Sequence, residues 1–191
     1  MWYNIVIVMA TIFAILVTLI NPLGLVWDQQ MKDLPQIEEF KYWYGDLEWG
    51  KASYLGTSEI VDLETELFVE FSSNKRLARA TLILGPGGLN EANCIVKFKE
   101  VNKLLEAKYG PLRTMTSIRD PLLDDMLYYR ECYALQTGLQ EHEAVWHWED
   151  FMIKSVVFGD EDNIWIEIEY TRKSLQKRMS KEQLQKIIKR L

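Results

Sequence analysis

The first 27 residues carry no charged side chain, and this stretch limits what the chain can fold into more than any other feature. Residues 4–26 are almost wholly apolar, and Asn21 and Pro22 are the main interruptions. As a helix, these 23 residues would extend roughly 35 Å, which exceeds the roughly 30 Å hydrocarbon core of a bilayer. Trp27 follows the run, at a position where interfacial aromatic residues are common. We therefore predict an uncleaved transmembrane anchor over residues 1–27.

A cleaved signal peptide is the alternative to this anchor. It would need a basic residue before the apolar run and small residues at positions −3 and −1 of the cleavage site. The first basic residue of the chain is Lys32, and cleavage after Gly24 would leave Pro22 at position −3. Both requirements fail, so the anchor is the better interpretation.

The side of the membrane on which the domain lies is less strongly indicated. Lys32 and Lys41 follow the span and favour a cytoplasmic domain, whereas a short N-terminus before a single span favours export. We expect an extracytoplasmic domain, and the cytoplasmic alternative stays open. Cys94 and Cys132 are compatible with buried thiols, with one disulfide in an oxidising compartment, or with a reactive Cys94 near a helix N-terminus.

Charge divides the rest of the chain into an acidic body and a basic tail. Residues 28–171 hold 14 Lys/Arg and 27 Asp/Glu, which gives −13. Residues 172–191 hold eight Lys/Arg and one acid, which gives +7. Nucleic-acid affinity depends largely on neutralising phosphates, so an acidic body argues against nucleic acid as the partner.

The apolar patterns of the body predict an α+β fold. Alternation over residues 64–84 indicates a hairpin, and a second hairpin is expected around the GDEDN turn, residues 159–163. Between them, residues 90–109 show helical spacing, with Asn90 as the expected N-cap and Gly110 as the stop. We expect a small antiparallel sheet of four to six strands, with this helix packed on one face.

A second helix is expected to start near Asp120-Pro121 and end near Gly138. The predicted organisation is an anchor (1–27), a juxtamembrane connector (28–45), the α+β domain (46–171) and a basic amphipathic helix (172–191).

The segment EHEAVWHWED contains both histidines of the chain and invites comparison with a metal site. A helical zinc motif needs its histidines four residues apart, but His142 and His147 are five apart. On a strand, this odd spacing places them on opposite faces. We therefore predict a strand whose inner face carries Ala144 and Trp146, and we expect no metal site and no cofactor.

No serine, cysteine or lysine lies in a recognisable nucleophile pattern, so we expect no catalytic residues. The leading hypothesis is a non-catalytic interaction or ligand-binding module, with Trp165 as a candidate contact. One alternative is a hydrolase that uses scattered carboxylates and a histidine.

The other alternative is a lipid-surface adaptor that acts through the basic tail, where cations could bind anionic lipid or a protein partner. The candidate contacts in the tail are Lys181, Lys186, Lys189 and Arg190. In the competing interpretation, the apolar side of the tail packs on the domain and its cations neutralise the acidic body.

Overall fold

The computed structural model describes residues 25, 27, 30, 40–46, 51–58, 63–72, 74, 76–85, 89–90, 93–119, 131–136, 140–160 and 163–175. These residues form one antiparallel sheet with two helices, which confirms the predicted α+β class. The strands are β1 (Phe40–Asp46), β2 (Lys51–Ser58), β3 (Leu63–Phe71), β4 (Leu77–Leu84), β5 (Thr114–Arg119), β6 (Gln140–His147), β7 (Phe151–Gly159) and β8 (Ile164–Arg172). The helices are α1 (Cys94–Tyr109) and α2 (Glu131–Gln136).

The order of the strands in the sheet is β1-β2-β3-β4-β8-β7-β6-β5. The sheet therefore consists of two four-stranded meanders, β1–β4 and β5–β8, each formed by strands that follow one another along the chain. The meanders meet where β4 pairs with β8, from Arg79 opposite Thr171 to Leu84 opposite Ile166. The centre of the sheet therefore depends on a contact between residues nearly half the chain apart.

The sheet has eight strands rather than the four to six that we expected. β1 begins at Phe40, inside the segment predicted as a connector, so the sheet starts earlier in the chain. β5 lies at one edge of the sheet and was not predicted as a strand. Its residues Thr114, Met115 and Thr116 are all exposed, so their sequence shows none of the alternation that marks a half-buried strand.

Alternation along the central strands separates an inner face from an outer face. On β8, Ile164, Ile166, Ile168 and Tyr170 are buried, whereas Trp165, Glu167 and Glu169 are only partly buried. The strand pairings extend the inner face with apolar residues, namely Leu67, Val69, Leu82, Leu84, Ala144, Trp146, Ile153 and Val157. This period of two is the one predicted for the hairpins.

Helix α1 packs on the inner face and supplies much of the core. Its buried side chains are Cys94, Ile95, Phe98, Val101, Asn102 and Leu105. Burial of each large apolar side chain contributes about 1.5–3 kcal/mol. The helix begins at Cys94, four residues later than predicted, and the backbone N–H of Asn90 instead donates to the side chain of Asn93. It ends as predicted at Gly110, whose φ of 85° lies in the region that favours glycine.

A disulfide between Cys94 and Cys132 joins the first turn of α1 to α2. Both cysteines are buried, and their Cα atoms are 6.0 Å apart. Because Cys94 is bonded, it offers no free thiolate, which removes the interpretation of Cys94 as a reactive thiol. Helix α2 covers the end of the predicted second helix, and residues 120–130, where that helix was expected to start, lie outside the described residues.

The described chain begins in the core rather than at a membrane surface. Leu25 is fully buried, and Trp27 is buried with its ring centroid 5.7 Å from that of Phe151. The expectation that Trp27 lies at a membrane interface is therefore wrong, because the domain itself encloses this ring. No helix within the described ranges is long and apolar enough to cross a membrane. The predicted anchor lies outside those ranges up to Gly24 and stays a prediction.

Candidate functional site

The two histidines lie on opposite faces of β6, as predicted from their spacing. His142 is buried on the inner face, where its ring centroid is 6.2 Å from that of Phe98. His147 is exposed and stands opposite Met152 on the outer face. Neighbours on a strand point to alternate faces, so one metal ion could not contact both rings. Among the described residues, no three His, Cys, Asp or Glu side chains form a group that could hold a metal.

The outer face of the sheet carries most of the polar side chains of the central strands. Both described helices pack on the other face, through residues of the core. Three ion pairs cross the outer face. Arg79 lies 3.1 Å from Glu70 and 3.8 Å from Glu169, and Lys154 lies 2.5 Å from Glu143. These side chains are partly exposed, so each pair contributes about 0–1 kcal/mol to stability.

An aromatic pair lies on the outer face near the β7–β8 turn. Trp165 stands opposite Phe158, with ring centroids 6.0 Å apart and planes inclined by 26°, which is a stacked arrangement. The indole Nε1–H of Trp165 donates to Glu167 Oε1 at 2.9 Å. This hydrogen bond holds the indole against its own strand and leaves the ring partly exposed.

Carboxylates flank this pair across three neighbouring strands. Glu66 on β3 stands opposite Ile83 on β4, and Ile83 stands opposite Glu167 on β8. Glu64 lies two residues before Glu66 and therefore on the same face. We call these six residues the aromatic–acidic patch: Glu64, Glu66, Ile83, Phe158, Trp165 and Glu167.

The patch has an excess of negative charge. Among the cations whose side chains the structure describes, none forms an ion pair with Glu64, Glu66 or Glu167. Burial raises the pKa of the Glu66 carboxyl above its ordinary value, and the neighbouring charge of Glu64 raises it further. Both effects disfavour the ionised form of Glu66, so a cation placed here would relieve an existing electrostatic cost.

The structure places the predicted contact Trp165 in this patch. Phe158 was not predicted, because symmetry about the expected turn at residues 159–163 would have paired it with Ile164, whereas the structure pairs Gly159 with Ile164 and Phe158 with Trp165. Ile83 and Glu66 could not have been found in this way, because they join the patch only through the pairing of β4 with β8. The four predicted contacts of the tail lie outside the described residues: Lys181, Lys186, Lys189 and Arg190.

The aromatic–acidic patch combines polar groups with aromatic rings. Its polar groups are carboxylates and an indole N–H, and this N–H already donates a hydrogen bond to Glu167. Its partly exposed rings and carboxylates can contact a cation directly. Comparison of this chain with protein-family models, curated proteins and solved structures finds no match.

Proposed function

We propose that this protein is a non-catalytic interaction module, held at a membrane by its N-terminal apolar segment. In this proposal the aromatic–acidic patch binds a cationic segment of a partner protein. The observation that carries it is the stacked pair of Trp165 and Phe158 beside carboxylates that lack a described cation. Lysine and arginine side chains match both parts of this surface.

The expected energies indicate a specific but moderate interaction. A cation over an exposed aromatic ring contributes about 0.5–1 kcal/mol. An exposed ion pair contributes about 0.2–1 kcal/mol and weakens as salt is added. A segment with several cations would therefore bind through the sum of several modest contacts and would be sensitive to ionic strength.

The proposed location is the extracytoplasmic side of the membrane. Disulfides persist in oxidising compartments, and the bond between Cys94 and Cys132 supports such a location. Because Leu25 belongs to the core, the proposed span is restricted to residues 4–24. These 21 residues would extend roughly 31 Å as a helix, which still matches a hydrocarbon core of about 30 Å.

The test is the binding of a labelled hexa-arginine peptide to the full chain. The protein is reconstituted in nanodiscs of zwitterionic lipid, so that the peptide has no anionic bilayer to bind, and affinity is read by fluorescence anisotropy. We expect Trp165→Ala to weaken binding by about 2–5-fold, the loss of one cation–π contact. Glu66→Gln should weaken it by a similar factor, because it removes one carboxylate from the patch.

Glu149→Gln is the matched control, because Glu149 is an exposed carboxylate at the other end of the sheet. It should bind the peptide like the native protein. If Glu66→Gln and Glu149→Gln weaken binding equally while Trp165→Ala has no effect, the peptide senses only the net charge of the body. If neither patch variant loses affinity, the proposed contact surface is wrong.

A further inference from the structure

Both ends of the described chain lie at one end of the sheet, which we call the termini end. The N-terminal part enters there, because Leu25 and Trp27 are in the core and Gln30 forms an isolated bridge with Arg76 beside the β3–β4 turn. The C-terminal part leaves there, because β8 ends at Arg172, next to the β6–β7 turn. The apolar N-terminal segment and the basic tail therefore join the folded domain at the same end.

The termini end carries aromatic rings that are partly buried against the core. Tyr109 lies with its ring centroid 6.3 Å from that of Trp148, and Phe151 packs on Trp27. Tyr109, Trp148 and Phe151 are each only partly buried. Aromatic side chains at the surface of a domain are enriched in the interfacial region of a bilayer.

Cations surround these rings. Lys108 lies 5.2 Å from the centroid of the Tyr109 ring, and Arg172 lies 5.7 Å from that of Phe151. Lys173 donates to the backbone carbonyl of Trp148 at 2.6 Å.

Arg76 and Arg113 are exposed at the same end. With Lys108, Arg172 and Lys173, the described side chains of this end supply five cations. The carboxylates there are Glu106, Glu149 and Asp150, so the local balance is +2. The body as a whole has the opposite sign, at −13 over residues 28–171.

The opposite end of the sheet has a different character. The β7–β8 turn there carries Asp160, and Glu64 is exposed at the start of β3. Lys97 in the first turn of α1 is paired with Glu100 at 2.9 Å, and Arg119 ends β5 on this side of the sheet, opposite Gln140. The nine residues of β8 separate the two ends by roughly 30 Å.

We propose that the termini end lies directly on the headgroups of an anionic bilayer. This proposal rests on the N-terminal anchor of the proposed function and adds an orientation and a lipid preference to it. Two observations favour a lipid surface as the occupant: the apolar segment enters the domain at this end, and the cations there lie beside partly exposed aromatic rings. The basic tail, which adds six Lys/Arg and one acid over residues 176–191, continues from the same end.

This orientation also explains how the two surfaces coexist. The aromatic–acidic patch lies near the β7–β8 turn, at the end of the sheet that faces away from the bilayer. A partner could therefore reach the patch without displacing the lipid contact.

The orientation is tested by energy transfer from a labelled domain to a labelled lipid headgroup. The full chain is reconstituted in vesicles that contain 30% phosphatidylglycerol or phosphatidylcholine alone. Asn74→Cys at the termini end and Asn163→Cys at the opposite end are labelled separately with a maleimide dye; both positions are exposed turn asparagines. Cys94 and Cys132 do not react with the dye, because they are buried and bonded to each other.

We expect stronger transfer from position 74 than from position 163, and a larger difference in the anionic vesicles. Lys108→Gln/Arg113→Gln should lower the equilibrium constant for the lipid-bound orientation by about 30-fold. Each charge near the surface contributes about 1 kcal/mol, and the variant removes two. Lys99→Gln/Lys103→Gln is the matched control, because it removes two exposed cations from the middle of α1 and should change nothing.

Equal transfer from the two positions, or stronger transfer from position 163, overturns the orientation. So does an equal response to the test and control variants. The anchor is checked in the same samples by floating the vesicles after a high-salt wash. Protein lost from the vesicles would refute the anchor, whereas retained protein with the wrong transfer pattern would refute only the orientation.

Discussion

Removal of the disulfide is the change whose cost follows most directly from the structure. Cys94→Ala/Cys132→Ala cuts the covalent link between α1 and α2, two helices that pack on the same face of the sheet. The bond closes a loop with a sequence separation of 38. Without it, the unfolded chain gains conformational freedom that the folded chain does not share.

The expected loss of stability is about 4 kcal/mol. In the chain-entropy description, a loop of about 38 residues restricts the unfolded state by roughly 13 cal/mol/K, which amounts to about 4 kcal/mol at 25 °C. Loss of the two buried sulfur atoms adds to this cost, because α1 and α2 then pack less completely. Domains are typically stable by only about 5–15 kcal/mol, so the variant should unfold far more readily.

The assay is urea unfolding of the full chain in nanodiscs, followed by tryptophan fluorescence. Free energies extrapolated to water should be compared rather than midpoints, because the bond also changes the compactness of the unfolded state. Val96→Ala is the control within α1; Val96 is 56% exposed, and its loss should change stability by less than about 0.5 kcal/mol. Native protein kept under reducing conditions should lose the same loop-closure contribution but keep both sulfur atoms, so its loss should be smaller than that of the double variant.

Two results would refute this reasoning. A loss below about 1 kcal/mol would mean that the bond does not restrict the unfolded chain as calculated. Native protein that keeps its full stability in reductant would mean that the two cysteines are not bonded.

Two further sets of variants test the backbone and the charges. Gly110→Ala should cost about 1–3 kcal/mol because φ of 85° with ψ of −175° is a combination that few residues other than glycine adopt, and Gly85→Ala should cost more in the same unfolding assay, because its φ is also positive and its new Cβ would lie 3.0 Å from Leu89 Cγ. Equal losses would show that the contact with Leu89 is easily relieved. Burial opposes ionisation of Asp150, but hydrogen bonds from Arg172 and Ser174 outweigh it and lower the pKa of this carboxyl. Asp150 therefore stabilises the fold at neutral pH, and this contribution is lost as the pH falls through the lowered pKa. The pKa of Glu66 is raised, so Glu66→Gln should stabilise the protein at neutral pH but not in acid. Asp150→Asn should instead destabilise the protein at neutral pH. If both variants changed the free energy of unfolding in the same direction at neutral pH, this account would be contradicted.

Local patterns in the sequence predicted the elements that pack against the core. The alternation over β3, β4 and β8 identified two hairpins, and Gly110 followed by Pro111 located the end of α1. These signals are strong because one face of each element is buried and the other is exposed to solvent. Apolar residues therefore recur in the sequence with the period of the helix or the strand. The odd spacing of His142 and His147 settled their opposite orientations for the same reason.

The outer strands were harder to predict because they have fewer buried neighbours. β5 has one strand partner, and its exposed residues place little constraint on which side chains alternate. Trp27 was misassigned because an aromatic ring after an apolar run is equally suited to a membrane interface and to a protein core. Only the packing of its ring against Phe151 distinguishes the two.

The sequence by itself determined that the chain has an apolar N-terminal run, an acidic α+β body and a basic tail. It also placed Trp165 and Glu167 on one face of a strand, because a strand repeats every two residues. Tertiary structure alone decided that β4 pairs with β8, which brings Ile83 and Glu66 beside Glu167 and places both ends of the described chain at one end of the sheet. Strand periodicity reports which face a residue takes, but the partner of a strand is chosen by hydrogen bonds and packing across a long separation in sequence.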